Sequence, residues 1–207
     1  MRTFQTHLFD LPPVKALPAS GELLVSSPFL EEAYFNHAVI MMVNTPEDNE
    51  DGTYMGLVTN LSTNLTLDGI IDLPESVAEQ SIPVYCGGPL SMDHLYFIHN
   101  LGPDILGKTT SLNNGLYIGA DYDTLLTYLE SGYPVEGHLR FFLGYTGWGA
   151  SQLPHELAQG TWALSSAPSD CSELLTLSGM KAWQAAIHRL PVKYRAFKLV
   201  PANLSSN

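Results

Sequence analysis

Cysteine is nearly absent from this chain of 207 residues, which holds only Cys86 and Cys171. The two form no C-x-x-C pair and no zinc spacing, which excludes a metal ribbon and a disulfide-stapled scaffold; in a reducing compartment both are expected to be free thiols. Basic charge is also scarce: nine Lys+Arg against 21 Asp+Glu leave a net charge of −12. Nucleic-acid binders draw much of their affinity from phosphate contacts, and a field this negative opposes them. The one basic stretch, "HRLPVKYRAFK", carries Arg189, Lys193, Arg195 and Lys198 and reads as a solvated tail, so direct nucleic-acid binding is not expected. No apolar run approaches the ~20 residues of a membrane helix. The opening "MRTFQTHLFDLPP" lacks the apolar core and small-residue cleavage site of a secretion signal, which points to a cytoplasmic protein.

What is present is a globular composition, 45% apolar and 14% charged. A chain of this length buries roughly 70% of its unfolded surface, enough for a core that needs no metal or disulfide. The expected organisation is an extended proline-bearing arm over 1–20, a single domain over 21–190 and a C-terminal tail over 191–207. "AVIMMV" (38–43) is continuously apolar, the pattern of a strand buried on both faces. It is joined through the acidic "NTPEDNEDG" to "TYMGLVTNL" as a long hairpin; the acidic loop lacks the carboxylate spacing of a calcium loop. "TLDGIIDLPESVAEQSIP" reads as a short helical segment, and "HLYFIHNL", "GLYIGA", "HLRFFLGY" and "TWALSS" read as strands. A helix is predicted between a cap at Asp121 and a stop at Gly132, with Tyr122, Leu125, Leu126 and Leu129 on one face. "SQLPHELAQG" is helical, and a last helix from Asp170 to Pro191 is interrupted near Gly179. Strands and helices mix without strict alternation, which indicates an α+β fold.

Three places could carry chemistry. Cys86 precedes Gly87-Gly88-Pro89 in "CGGP", where backbone N–H groups at a glycine turn can stabilise a thiolate. A catalytic thiol also needs a base, and His94 and His99, an odd five positions apart on one strand, face opposite sides. The competing reading is a small buried residue that ends a strand. The second place is "GYTGWGASQL": glycines between a strand and a helix can leave N–H groups free for an anion, with Arg140 as the nearest cation. Its spacing is neither a dinucleotide fingerprint nor a P-loop, and the competing reading is a tight turn that packs Trp148. Third, His155-Glu156 begins like a zinc-protease motif, but Gln159 stands where the second histidine belongs, so that reading fails. No metal and no cofactor is expected.

Taken together, these stretches resemble the AlgH-like family. The matching residues are "LLVSSP" at 23–28, Phe35 through Val39, Gly52, Gly56 and Asn60 of "GTYMGLVTN", and Gly87, Gly88 and Pro89. Later come Gly144, Tyr145, Trp148, Gln152 and Leu153 of "GYTGWGASQL", then Trp162 of "TWAL". Asn36-His37 stand where the family pattern has Arg-Ser. Ser151 and Pro154 replace its Gly and Glu and leave Glu156 as the acid of that segment. The resemblance implies a mixed, partly barrel-like sheet surrounded by helices and a transcription-linked regulatory association. The expectation is a non-enzymatic protein that binds a partner protein or a small ligand. Its candidate residues are Gly87, Gly88, Arg140, Gly147, Trp148 and Gln152; the alternative is a thiol-dependent enzyme or redox sensor built on Cys86.

Overall fold

The apolar run at 38–43 becomes an inner strand of the sheet. In the computed structural model, which describes residues 16–47, 50–192, Tyr194 and Phe197, strand β2 (Val39–Asn44) lies between β1 (Leu23–Ser26) and β3 (Tyr54–Val58), antiparallel to both. The β2–β3 hairpin closes through the acidic loop as its pattern predicts. Strand alternation sends Leu23, Val25, Val39 and Met41 to one face and Leu24, Ile40 and Met42 to the other, and both faces are covered. The first face packs under two helices, α5 (Ser172–Thr176) and α6 (Gly179–Arg189). The second packs under α4 (Gln152–Ala158) with Trp148 and Trp162. Burial of each such aliphatic side chain is worth about 1.5–3 kcal/mol, which is why both faces demand apolar residues and the usual strand alternation vanishes.

The rest of the sheet is organised by β9 (Leu139–Trp148). It pairs with β3 and with β5 (Pro83–Cys86), and with β6 (Leu90–His99). Beyond β6 lie the two-residue strands β8 (Tyr117–Ile118) and β7 (Thr110–Ser111); β10 (Trp162–Ser165) extends the other end beside β1, and β4 (Ser62–Thr66) pairs with β5. A third cluster sets Val84, Phe141 and Leu143 against Leu125 and Leu129 of α3 (Tyr122–Glu130) and Val77 of α1 (Glu75–Ala78). Helix α2 (Pro103–Leu106) packs against α3. The result is an α+β fold whose curled, mostly antiparallel sheet forms a half-barrel among six helices of the described residues.

Several expectations change in detail. The glycine-rich "GYTGW" is not a loop: β9 runs through it, and Thr146, Gly147 and Trp148 pair with Gly56, Met55 and Tyr54. "GLYIGA" contracts to two strand residues, whereas the "HLYFIHNL" strand starts earlier, at Leu90. On α3, Tyr128 replaces the exposed Tyr122 on the buried face. Asp121 stands at the cap position without a side-chain capping bond; its carboxylate accepts the Lys108 N–H instead. The last helix is two helices. Gly179, with φ +54, opens the second, and its N–H donates to the Asn60 carbonyl at 2.8 Å. Of the expected arm, residues 1–15 lie outside the described residues, as do Lys193, Arg195 and Lys198 of the basic stretch. Tyr194 and Phe197, on the stretch read as a tail, are buried with the core of α6.

Candidate functional site

The "CGGP" glycines carry the chain across a strand. β5 and β6 both pair with residues 141–143 of β9, one parallel and one antiparallel, so they occupy opposite edges of it. The link between them passes over β9 at Gly144 and Tyr145. A Cβ on Gly87 would stand 2.2 Å from the Gly144 carbonyl oxygen, and one on Gly88 2.3 Å from that of Tyr145. From the other side, a Cβ on Gly144, whose φ is +68, would stand 2.6 Å from the Gly88 oxygen. Backbones approach this closely only where the residue facing the other strand has no Cβ, as is the case at Gly87, Gly88 and Gly144. The Gly87 N–H donates to the Leu143 carbonyl and its carbonyl accepts from Val58, each at 2.8 Å, so the crossing also stitches β3 to β9.

Cys86 ends β5 just before the crossing and is buried. Its thiol approaches the Gly88 carbonyl at 3.8 Å, and burial pushes its pKa up, the Gly88 contact opposing. Neither nearby histidine serves it. His94 is exposed and bonded to Asp93. His99 is fully buried, takes the Leu101 N–H on Nδ1 (3.3 Å) and so donates from Nε2 to the Gly119 carbonyl (2.9 Å).

Beyond the crossing the chain reaches a groove of about 440 Å³ between the end of β9, α4 and the 30–35 loop. Pro89 and Leu90 form one wall; Gly147, Trp148, Gln152 and Trp162 lie along the rest. Glu156 fixes this surface. Its Oε2 accepts the indole N–H of both Trp148 (2.9 Å) and Trp162 (2.7 Å), and its Oε1 accepts from Gln152 Nε2 (2.9 Å). The two indoles meet edge to face at 6.0 Å, and Phe35 meets Trp162 in the same way at 5.6 Å. Buried indoles need a hydrogen-bond acceptor, and a single carboxylate supplies it to both. Glu156 therefore belongs to the site, which its place in a failed zinc motif concealed. Phe35 and Trp162 carry family-motif signals in the sequence, with no sign there that they meet.

The predicted residues divide into two places. Gly147, Trp148 and Gln152 share the groove with Pro89, whereas Gly87 and Gly88 do not line it and sit in the backbone crossing just before it. Arg140 does not join them; it lines a separate cavity with Tyr85. Within "GYTGWGASQL", where free N–H groups are expected, the backbone of Thr146, Gly147 and Trp148 is paired with β3. Among the described residues, no three His, Cys, Asp or Glu side chains converge as a metal site would require, and no helix is long and apolar enough to cross a membrane.

The class defined by these features is an α+β half-barrel protein with a backbone crossing at its centre and a preformed aromatic groove beside it. The chain belongs to the AlgH-like family, whose pattern matches residues 23–195. It is similar to a UPF0301 protein of Bacteroides fragilis, 34% identical over 202 residues with 98% of each chain covered. A UPF0301 protein of Parabacteroides distasonis is 32% identical over 195 residues, with 94% of each covered. Among solved structures, a Corynebacterium diphtheriae protein shares the fold with a TM-score of 0.71 at 21% identity, covering 94% of this chain and 98% of its own. The solution structure of the AlgH protein from Pseudomonas aeruginosa gives a TM-score of 0.66 at 25% identity, with 91% and 98% covered.

Proposed function

We propose that this protein is a cytoplasmic, non-enzymatic binding module whose groove beside Trp148 takes an apolar, basic segment of a partner protein. The observation that carries this reading is the Glu156 clamp: two indoles and Gln152 are held in place before any partner arrives, so little ordering remains to oppose association. Leu90, 42% exposed on the groove wall, supplies an apolar contact, and exposed Glu32 lines the same groove. A basic partner suits that acidic edge and the net charge of −12. The transcription-linked role implied by the family would act through such a partner, since the same charge opposes direct contact with nucleic acid. The thiol alternative finds no support at Cys86, which is buried, raised in pKa and without a base.

The test is a photo-crosslinking side chain at Leu90, with Ile105, an exposed apolar residue of α2, as the control position. A partner trapped from Leu90 but not from Ile105, whose purified form binds the wild type and loses at least tenfold in affinity for Leu90→Glu, supports the reading. Equal trapping at both positions, or equal affinity for Leu90→Glu, overturns it.

A further inference from the structure

The second cavity, also about 440 Å³, lies between the start of β9, β5 and the end of α5, away from the groove. Arg140 lines it and is only 3% exposed. Among the described residues no carboxylate comes within ion-pairing distance of its guanidinium. The group is held by neutral partners instead. Nη1 donates to the Thr59 carbonyl (2.8 Å) and the Leu177 carbonyl (2.6 Å), and the guanidinium carbon lies 4.2 Å over the centre of the Tyr85 ring. Both bonds use one nitrogen of a fork that carries five donors. A buried charge with no ion-pairing partner is costly. Glu136 favours the charged guanidinium from a distance without pairing with it, and a fold retains such a charge most readily where an anion completes it.

The other walls describe the rest of the ligand. Ile82, Val135, Leu139 and Leu175 are apolar. Two of the polar side chains nearby are already engaged: the Gln80 amide donates to the Leu129 carbonyl (3.1 Å) and the Thr176 hydroxyl to that of Ser172 (2.9 Å). Exposed Glu136 lines the same cavity and disfavours a multiply charged anion. One cation, an apolar wall and an acid at the edge suit a single negative charge on an apolar body. We infer that this cavity is a binding site for a small apolar monocarboxylate, its carboxylate paired with Arg140 and its hydrocarbon part against Ile82, Val135 and Leu175. Guanidinium matches a carboxylate in planar, two-point fashion, so the arginine confers geometry as well as charge.

Thermal unfolding of the full chain with hexanoate or benzoate tests this, with hexanamide, benzamide and inorganic phosphate as controls. The acids are expected to raise Tm saturably, by roughly 3–6 °C at ten times Kd, and the neutral amides and phosphate by far less. Arg140→Lys should weaken the response at least tenfold. Because Arg140 also ties two chain segments, Val135→Trp, which fills the apolar wall and leaves the arginine alone, is the second variant. It should unfold near the wild-type temperature and lose the response. No shift up to about 50 mM acid, equal shifts with the amides or phosphate, or an undiminished response in Val135→Trp would each overturn the assignment.

Discussion

The backbone of Gly87 lies against that of Gly144 so closely that a single methyl on Gly87 would stand 2.2 Å from the Gly144 carbonyl oxygen. The obstructing atom is backbone, not the tip of a flexible side chain that could swing away. Gly87→Ala, Gly88→Ala and Gly144→Ala are therefore expected to cost more than about 4 kcal/mol each, in the range reserved for gross steric conflict. Gly149, in the turn before α4, is the matched control, because an added Cβ there meets nothing within 4 Å. Gly149→Ala should stay within about 0.5 kcal/mol of the wild type in denaturant unfolding. Equal costs at all four positions would show that the crossing is not what holds these glycines.

Glu156 serves two buried indoles at once. Glu156→Ala leaves both N–H groups without their acceptor and should cost about 2–5 kcal/mol, with a change in tryptophan fluorescence. Glu156→Gln keeps one carbonyl acceptor and should cost less. Chemical denaturation followed by fluorescence separates the two, and indistinguishable variants would count against the clamp.

Burial raises the pKa of both thiols, with Asp170 adding to the rise at Cys171. Cys171 is partly exposed and Cys86 is buried. Iodoacetamide should therefore label the native protein slowly at neutral pH and reach Cys171 before Cys86, as mass spectrometry of the digested protein would report. Fast labelling of Cys86 at neutral pH would restore the thiol reading.

Burial holds the imidazole pKa of His99 below its ordinary 6.5, with the Gly119 hydrogen bond opposing, and burial lowers that of His37 as well. The unfolded chain takes up these protons near pH 6.5, and the folded chain only at lower pH. Stability from this source is complete above about pH 6.5 and is lost as pH falls from there through the folded pKa values. The unfolding free energy should decline as pH falls below about 6.5, and His99→Gln should flatten that decline. An unchanged slope in the variant would remove His99 from the explanation.

Much of the fold is legible in the sequence because burial on two faces leaves a clear mark: "AVIMMV" and "HLRFFL" have no regularly polar side to present. The break at Gly179 is legible for a local reason, a residue that weakens helix. The path of "GYTGW" is not. Glycine signals a turn when read locally, and here it answers to Gly87 and Gly88 in a different part of the chain. Arg140 stands out in the sequence as a cation, but its partners, the Thr59 and Leu177 carbonyls, are backbone groups that leave no trace in side-chain identity. Glu156 is hidden by context, since only the fold brings Trp148 and Trp162 to one carboxylate.

The position of β9 also sets an order of events. Its partners β3, β5 and β6 all precede it in the chain and meet through it. While the protein is being synthesised, those strands wait with open edges until Trp148 has emerged, and open edges are the surfaces on which chains join one another wrongly. The half-barrel is thus completed late, and a chain cut short before Leu139 loses the element that makes these strands one sheet.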